Sequence, residues 1–70
     1  MKLSARNVIK GKVAGIDKGQ VTAIVTVDIG GGKTITSSIT MASLKDLGLK
    51  KGSEVHAIIK SSEVILGVEE

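Results

Sequence analysis

Two runs of β-branched residues do most to restrict what this chain can fold into. Residues 8–16 (VIKGKVAGI) and 21–29 (VTAIVTVDI) are dense in Val and Ile, with an imperfect alternation of apolar and polar positions. That is the pattern of strands which bury one face. The intervening Asp17-Lys18-Gly19-Gln20 has turn chemistry, so the two runs read as a hairpin. Gly30-Gly31-Gly32 breaks the chain again, and residues 34–39 resume in the same extended style. Three strands in a meander are expected. Thr40 followed by MASLKDL then has the signature of a helix of about two turns, with Thr40 at the N-cap and Gly48 as the left-handed stop. Beyond Lys50-Lys51-Gly52, residues 54–59 read as a fourth strand, Ser61-Ser62 as an interruption and residues 64–66 as a fifth.

Three strands, a short helix and two strands is the order of an all-β, five-stranded OB-like barrel whose helix, between strands 3 and 4, plugs one end. Internal repeats, low-complexity tracts and Pro-rich linkers are not visible, so residues 1–70 read as a single domain, with Glu69-Glu70 as a frayed end. A lone core of this size is marginal. With no Cys and one His, disulfides, thiolate metal sites and imidazole clusters drop out as staples. Oligomerisation is the remaining common remedy, and a 41% hydrophobic content without any Phe, Tyr or Trp supplies small aliphatic side chains to subunit interfaces. Met1-Lys2 leads into a polar cluster rather than an apolar run, and no segment approaches the roughly 20 apolar residues of a membrane span. A cytoplasmic location is expected. The net charge of +3 permits anion or nucleic-acid binding, but the basic residues are scattered rather than blocked.

Chemistry concentrates in two polar clusters, Ser4-Ala5-Arg6-Asn7 near the start and Lys60-Ser61-Ser62 near the end. Both are rich in donors and contain no carboxylate. A guanidinium, an ammonium, hydroxyls and an amide suit a small, fully deprotonated oxyanion, which offers only acceptors. Arg6 alone reads equally as a solvated charge at a strand's start, Asn7 as a tie for its own backbone, and Ser62 as a residue shaping a turn. Ala5 contributes, if at all, through its backbone N–H. Thr40 and Ser43 fall at the cap and third position of the expected helix, where hydroxyls and free N–H groups meet the positive end of the dipole. They read as anion ligands or as a capping pair that serves only the helix, and both roles can coexist.

Two other signals point away from function. Gly30-Gly31-Gly32-Lys33-Thr34 ends like a phosphate-binding loop, yet the first glycine of that motif would fall at Val27 and strand rather than helix follows. His56 sits between Val55 and Ala57 without a second His, a Cys or an Asp cluster, which makes it a structural or surface histidine. No nucleophile–base pair or paired carboxylates mark a catalytic site, so no catalytic residue and no metal ligand is assigned. The alternative of a nucleic-acid-binding OB-fold lacks the aromatic stacking platforms such domains use.

The segments SARN at residues 4–7, GKV at 11–13, ITMAS at 39–43, LGL at 47–49 and KS at 60–61 together resemble the molbindin family, the free-standing form of the molybdate-binding TOBE domain. The resemblance covers nearly the whole chain. It implies a cytoplasmic homo-oligomer, typically a hexamer built as a trimer of dimers, that holds molybdate or tungstate at subunit interfaces for molybdenum storage or homeostasis, with no cofactor. It implies oxyanion ligation by Ser4, Ala5, Arg6, Asn7, Thr40, Ser43, Lys60 and Ser61, with the SARN segment from one chain and the other elements from its neighbour. Further sites on a threefold axis are implied as well, with the Lys18-Gly19-Gln20 backbone a weak candidate. A donor-only site disfavours phosphate, whose remaining proton would lack an acceptor. Sulfate, with shorter bonds, fails to reach every donor. Molybdate and tungstate are nearly the same size, so the residues do not distinguish them.

Overall fold

The β-branched runs become strands whose inward positions are the aliphatic ones. The computed structural model describes residues 1–69, so of the frayed end expected at Glu69-Glu70 the last residue lies outside the described residues. It contains β1 (Asn7–Lys18), β2 (Thr22–Gly30), β3 (Lys33–Thr40), α1 (Met41–Leu47) and β4 (Glu54–Ile59), followed by a one-turn 3-10 helix at Ser61–Glu63. All pairings are antiparallel and the sheet order is β3-β2-β1-β4. The long strand β1 pairs with β4 along residues 7–12 and with β2 along residues 12–18. A bulge between Val13 and Gly15 bends β1 where it passes from one partner to the other, as an extra residue in one strand does. The sheet therefore curls into a half-barrel.

Inside the curl lie Val13, Ala23, Val25 and Val27, with Leu44 of α1 buried against them. Helix α1 forms where the sequence predicts it. The Thr40 side chain accepts from the Ser43 N–H at 3.0 Å, and Gly48 ends the helix at φ 64°, where a side chain would be strained. At Gly11 a side chain is excluded for another reason: a Cβ would lie 2.6 Å from the Asp28 carbonyl oxygen and 2.7 Å from Val27 Cγ1. Close approach of β1 to β2 depends on that bare position.

The strand count differs from the expected five. Residues 64–66 do not pair as a strand; Ile65 is 94% exposed and Leu66 88%. The 3-10 turn hands the chain on in an extended conformation at Val64 (φ −86°, ψ 118°) that does not fold back along β4. Sequence pattern reports which face of a segment is apolar, not which strand it pairs with. Consequently β3 and β4 are both sheet edges, facing each other across an apolar groove of about 370 Å³.

Candidate functional site

The donor clusters from the two ends of the chain meet because β1 and β4 are antiparallel neighbours. Asn7 opens β1 and is in register with Ile59, the last residue of β4. The residues just before Asn7 and just after Ile59 therefore emerge side by side. The Asn7 side chain reinforces the junction, its Nδ2 donating to the Ile59 carbonyl at 3.1 Å. Beyond it, Ser4, Ala5, Arg6, Lys60, Ser61 and Ser62 line one open cleft of about 600 Å³, floored by Ile58. Ala5 is half-buried and the polar residues of the cleft are exposed. Among the described residues, no carboxylate lines it.

Within this arrangement the sequence-derived residues divide into two groups. Ser4, Ala5, Arg6, Lys60 and Ser61 come together in a single chain. The Asn7–Ile59 register is what brings them side by side. Asn7 is half-buried, with one amide donor already engaged. Ser62, read from sequence as a turn residue, joins the lining. Its membership of an unbroken run of donors was the available signal.

Thr40 and Ser43 lie elsewhere. Thr40 is in register with Thr22, and Lys18 with Ala23, so the cap of α1 sits at the far end of β1 from Asn7. There the Thr40 hydroxyl donates to Ser43 Oγ at 2.9 Å while accepting from the Ser43 N–H. The capping role is thus realised, a contribution of about 0.5–2 kcal/mol to helix stability. Both side chains are exposed. One chain does not bring them to the cleft.

Two other concavities contrast with it. The groove between β3 and β4 is lined mainly by aliphatic side chains, with Thr36, Ser37 and His56 among them and no Lys or Arg in its lining. A cleft of about 220 Å³ on the outer face is lined by Lys10, Gly11, Lys12, Asp28 and Glu54, whose two carboxylates offset its two lysines. His56 is exposed on β4, as a surface histidine is expected to be.

A curled antiparallel sheet with one short helix after its third strand, carrying a carboxylate-free donor cleft where the chain's ends meet, defines a small OB-like anion-binding class of domain. The chain belongs to the TOBE domain family, whose model matches residues 3–66. It is 52% identical over 69 residues to a probable molybdenum-pterin-binding protein of Haemophilus influenzae, covering 99% of this chain and 100% of that one. Among solved structures, MopII from Clostridium pasteurianum superposes with a TM-score of 0.89 at 48% identity, covering 96% of this chain and 100% of MopII. The cytoplasmic molybdate-binding protein ModG, solved with molybdate bound, superposes with a TM-score of 0.94 at 48% identity; the match covers 99% of this chain and 49% of ModG. These relatives are binding proteins, in keeping with the molbindin resemblance.

Proposed function

We propose that this protein binds molybdate or tungstate as an intact dianion and serves cytoplasmic molybdenum storage or homeostasis without performing chemistry on its ligand. The observation that carries this reading is the convergence of Ser4, Ala5, Arg6, Lys60, Ser61 and Ser62 on one cleft that, among the described residues, no carboxylate lines. Arg6 and Lys60 supply two positive charges, which match the two negative charges of the tetraoxoanion. Hydroxyls and backbone N–H groups supply neutral donors around them. The bound anion needs no proton and no cofactor.

The cleft is too open to enclose a tetrahedral anion by itself, and the Thr40–Ser43 hydroxyl pair stands at the other end of the fold. A complete site is then assembled from the terminal cleft of one chain and the α1 cap of another. The whole of residues 1–70 acts as one binding domain within a homo-oligomer, and a hexamer built as a trimer of dimers is the assembly its relatives' family implies. Asn7 serves this site as a tether between its two segments.

Isothermal titration calorimetry at fixed pH and salt, paired with native mass spectrometry, tests the reading. Molybdate and tungstate bind alike, sulfate far more weakly and phosphate hardly at all, and the spectra give oligomer size and anion count together. A protein that preferred phosphate would overturn the donor-only argument, and a monomer that bound molybdate tightly would overturn the shared site.

A further inference from the structure

Resting on the molybdate reading above, we infer that Ile58 sets the anion preference of the cleft: its aliphatic side chain is a floor that cannot replace water, and it favours a large, weakly hydrated dianion over sulfate. Burial alternates without a break from Ala5 to Lys12 and from Ser53 to Lys60, with the even-numbered residues exposed. Val8 stands in register with Ile58, and Lys10 with His56. Directly opposed residues of antiparallel strands share a face, so these side chains form rungs on the outer side of the sheet. Lys60 keeps an extended backbone (φ −64°, ψ 135°), which continues the ladder to a rung of Arg6 and Lys60.

The Val8–Ile58 rung is an aliphatic step between the cationic Arg6–Lys60 rung and the polar Lys10–His56 rung. Val8 is 42% exposed and Ile58 44%. By itself an exposed aliphatic residue signals nothing. What sets Ile58 apart from Val8 is position, because Ile58 lines the donor cleft and Val8 does not. Among the described residues of that lining it is the one large aliphatic side chain, and every other except Ala5 is polar or charged.

A dianion held by Arg6 and Lys60 therefore meets, on one side, a surface without a donor. Water shed on that side is not replaced, and the cost grows with the strength of the hydration that is lost. Sulfate is the smaller ion, with its charge closer to solvent, and holds its shell more tightly than molybdate or tungstate. The floor penalises sulfate most. A hydroxyl or amide at residue 58 returns a partner to the anion, and sulfate gains most from it. Selection by hydration acts beside selection by reach, in which the shorter bonds of sulfate leave some donors untouched. Substitutions that keep the shape of residue 58 and change its polarity separate the two.

Valine and threonine differ by a methyl for a hydroxyl at nearly the same shape, which makes Ile58→Val and Ile58→Thr a matched pair. Ile58 also lines the groove between β3 and β4, and both variants lose that packing alike. Calorimetry at one pH and salt gives the molybdate affinity directly and the sulfate affinity by competition, with thermal unfolding of the same samples as the check on folding. Expected is a molybdate-to-sulfate ratio in Ile58→Thr about three- to fivefold below that in Ile58→Val, within the worth of one neutral hydrogen bond, and mostly through tighter sulfate binding. Val8→Thr, on the same rung but outside the cleft, leaves the ratio unchanged. Ile58→Leu and Ile58→Asn are a second pair of similar shape, which reads the same contrast where the first pair folds poorly. Equal ratios within a pair that folds make Ile58 a packing residue and overturn the inference. An equal shift in Val8→Thr overturns it as well, because the effect then belongs to the whole outer face. Wild-type protein that binds molybdate, with a ratio indifferent to polarity at residue 58, refutes the floor alone. Wild-type protein that binds no molybdate refutes the proposed function, and the floor falls with it.

Discussion

Asn7→Ala separates a tether from a ligand. The Asn7 side chain donates to the Ile59 carbonyl at 3.1 Å in a half-buried setting; Arg6 precedes it in the chain, and Lys60 follows its register partner Ile59. A neutral hydrogen bond of this type contributes about 0.5–1.5 kcal/mol, and the carbonyl left behind is close enough to solvent to recover part of that. A loss near 1 kcal/mol is expected, which for a domain of this size lowers the unfolding midpoint by roughly 4–8 °C. The comparison is made at one protein concentration, because an oligomer's midpoint depends on it. If Asn7 only aligns the two segments, the loss of molybdate affinity is bounded by the same ~1 kcal/mol, about fivefold. Were Asn7 to touch the anion, a charge-assisted bond of about 1.5–3 kcal/mol would disappear and affinity would fall more than tenfold. Thermal unfolding and calorimetry on the same samples decide. A variant with unchanged midpoint and affinity refutes the tether, and a loss above tenfold with an unchanged midpoint makes Asn7 a ligand.

Three further outcomes are expected. Gly11→Ala forces a Cβ to within 2.6 Å of the Asp28 carbonyl oxygen, costing about 1–3 kcal/mol in chemical denaturation; an unchanged midpoint would mean that β1 and β2 separate there at little cost. Ser43→Asp places a carboxylate at the third position of α1, where helices tolerate or favour acid, so the fold survives while molybdate binding is abolished; Ser43→Ala costs binding only about 1–2 kcal/mol. Undiminished affinity in Ser43→Asp would remove the α1 cap from the site. Arg6→Ala and Lys60→Ala each weaken molybdate binding by about 1.5–3 kcal/mol. Because both side chains serve one chain's cleft, mixing those two variants restores no site. Mixing Arg6→Ala with Ser43→Asp does restore some, and calorimetry showing the reverse would divide the cleft between chains.

Local chemistry made most of the elements legible before any coordinates. Thr40 at the cap, Gly48 in the left-handed region and the aliphatic period of β2 act over a few residues, so their consequences can be read where they stand. The donor character of Ser4, Arg6, Lys60 and Ser61 was equally plain from residue type. What residue type does not carry is long-range pairing. That Arg6 and Lys60 share a cleft follows from Asn7 standing opposite Ile59, a register set by the bend at Val13–Gly15 and by the packing of the whole curl. The same holds for residues 64–66, where an apolar alternation announced a strand without naming its partner. Only the tertiary structure separates the α1 cap from the cleft and leaves β3 and β4 as open edges, because burial of a face is written in the local pattern while the choice of neighbour is settled by the free energy of the entire sheet.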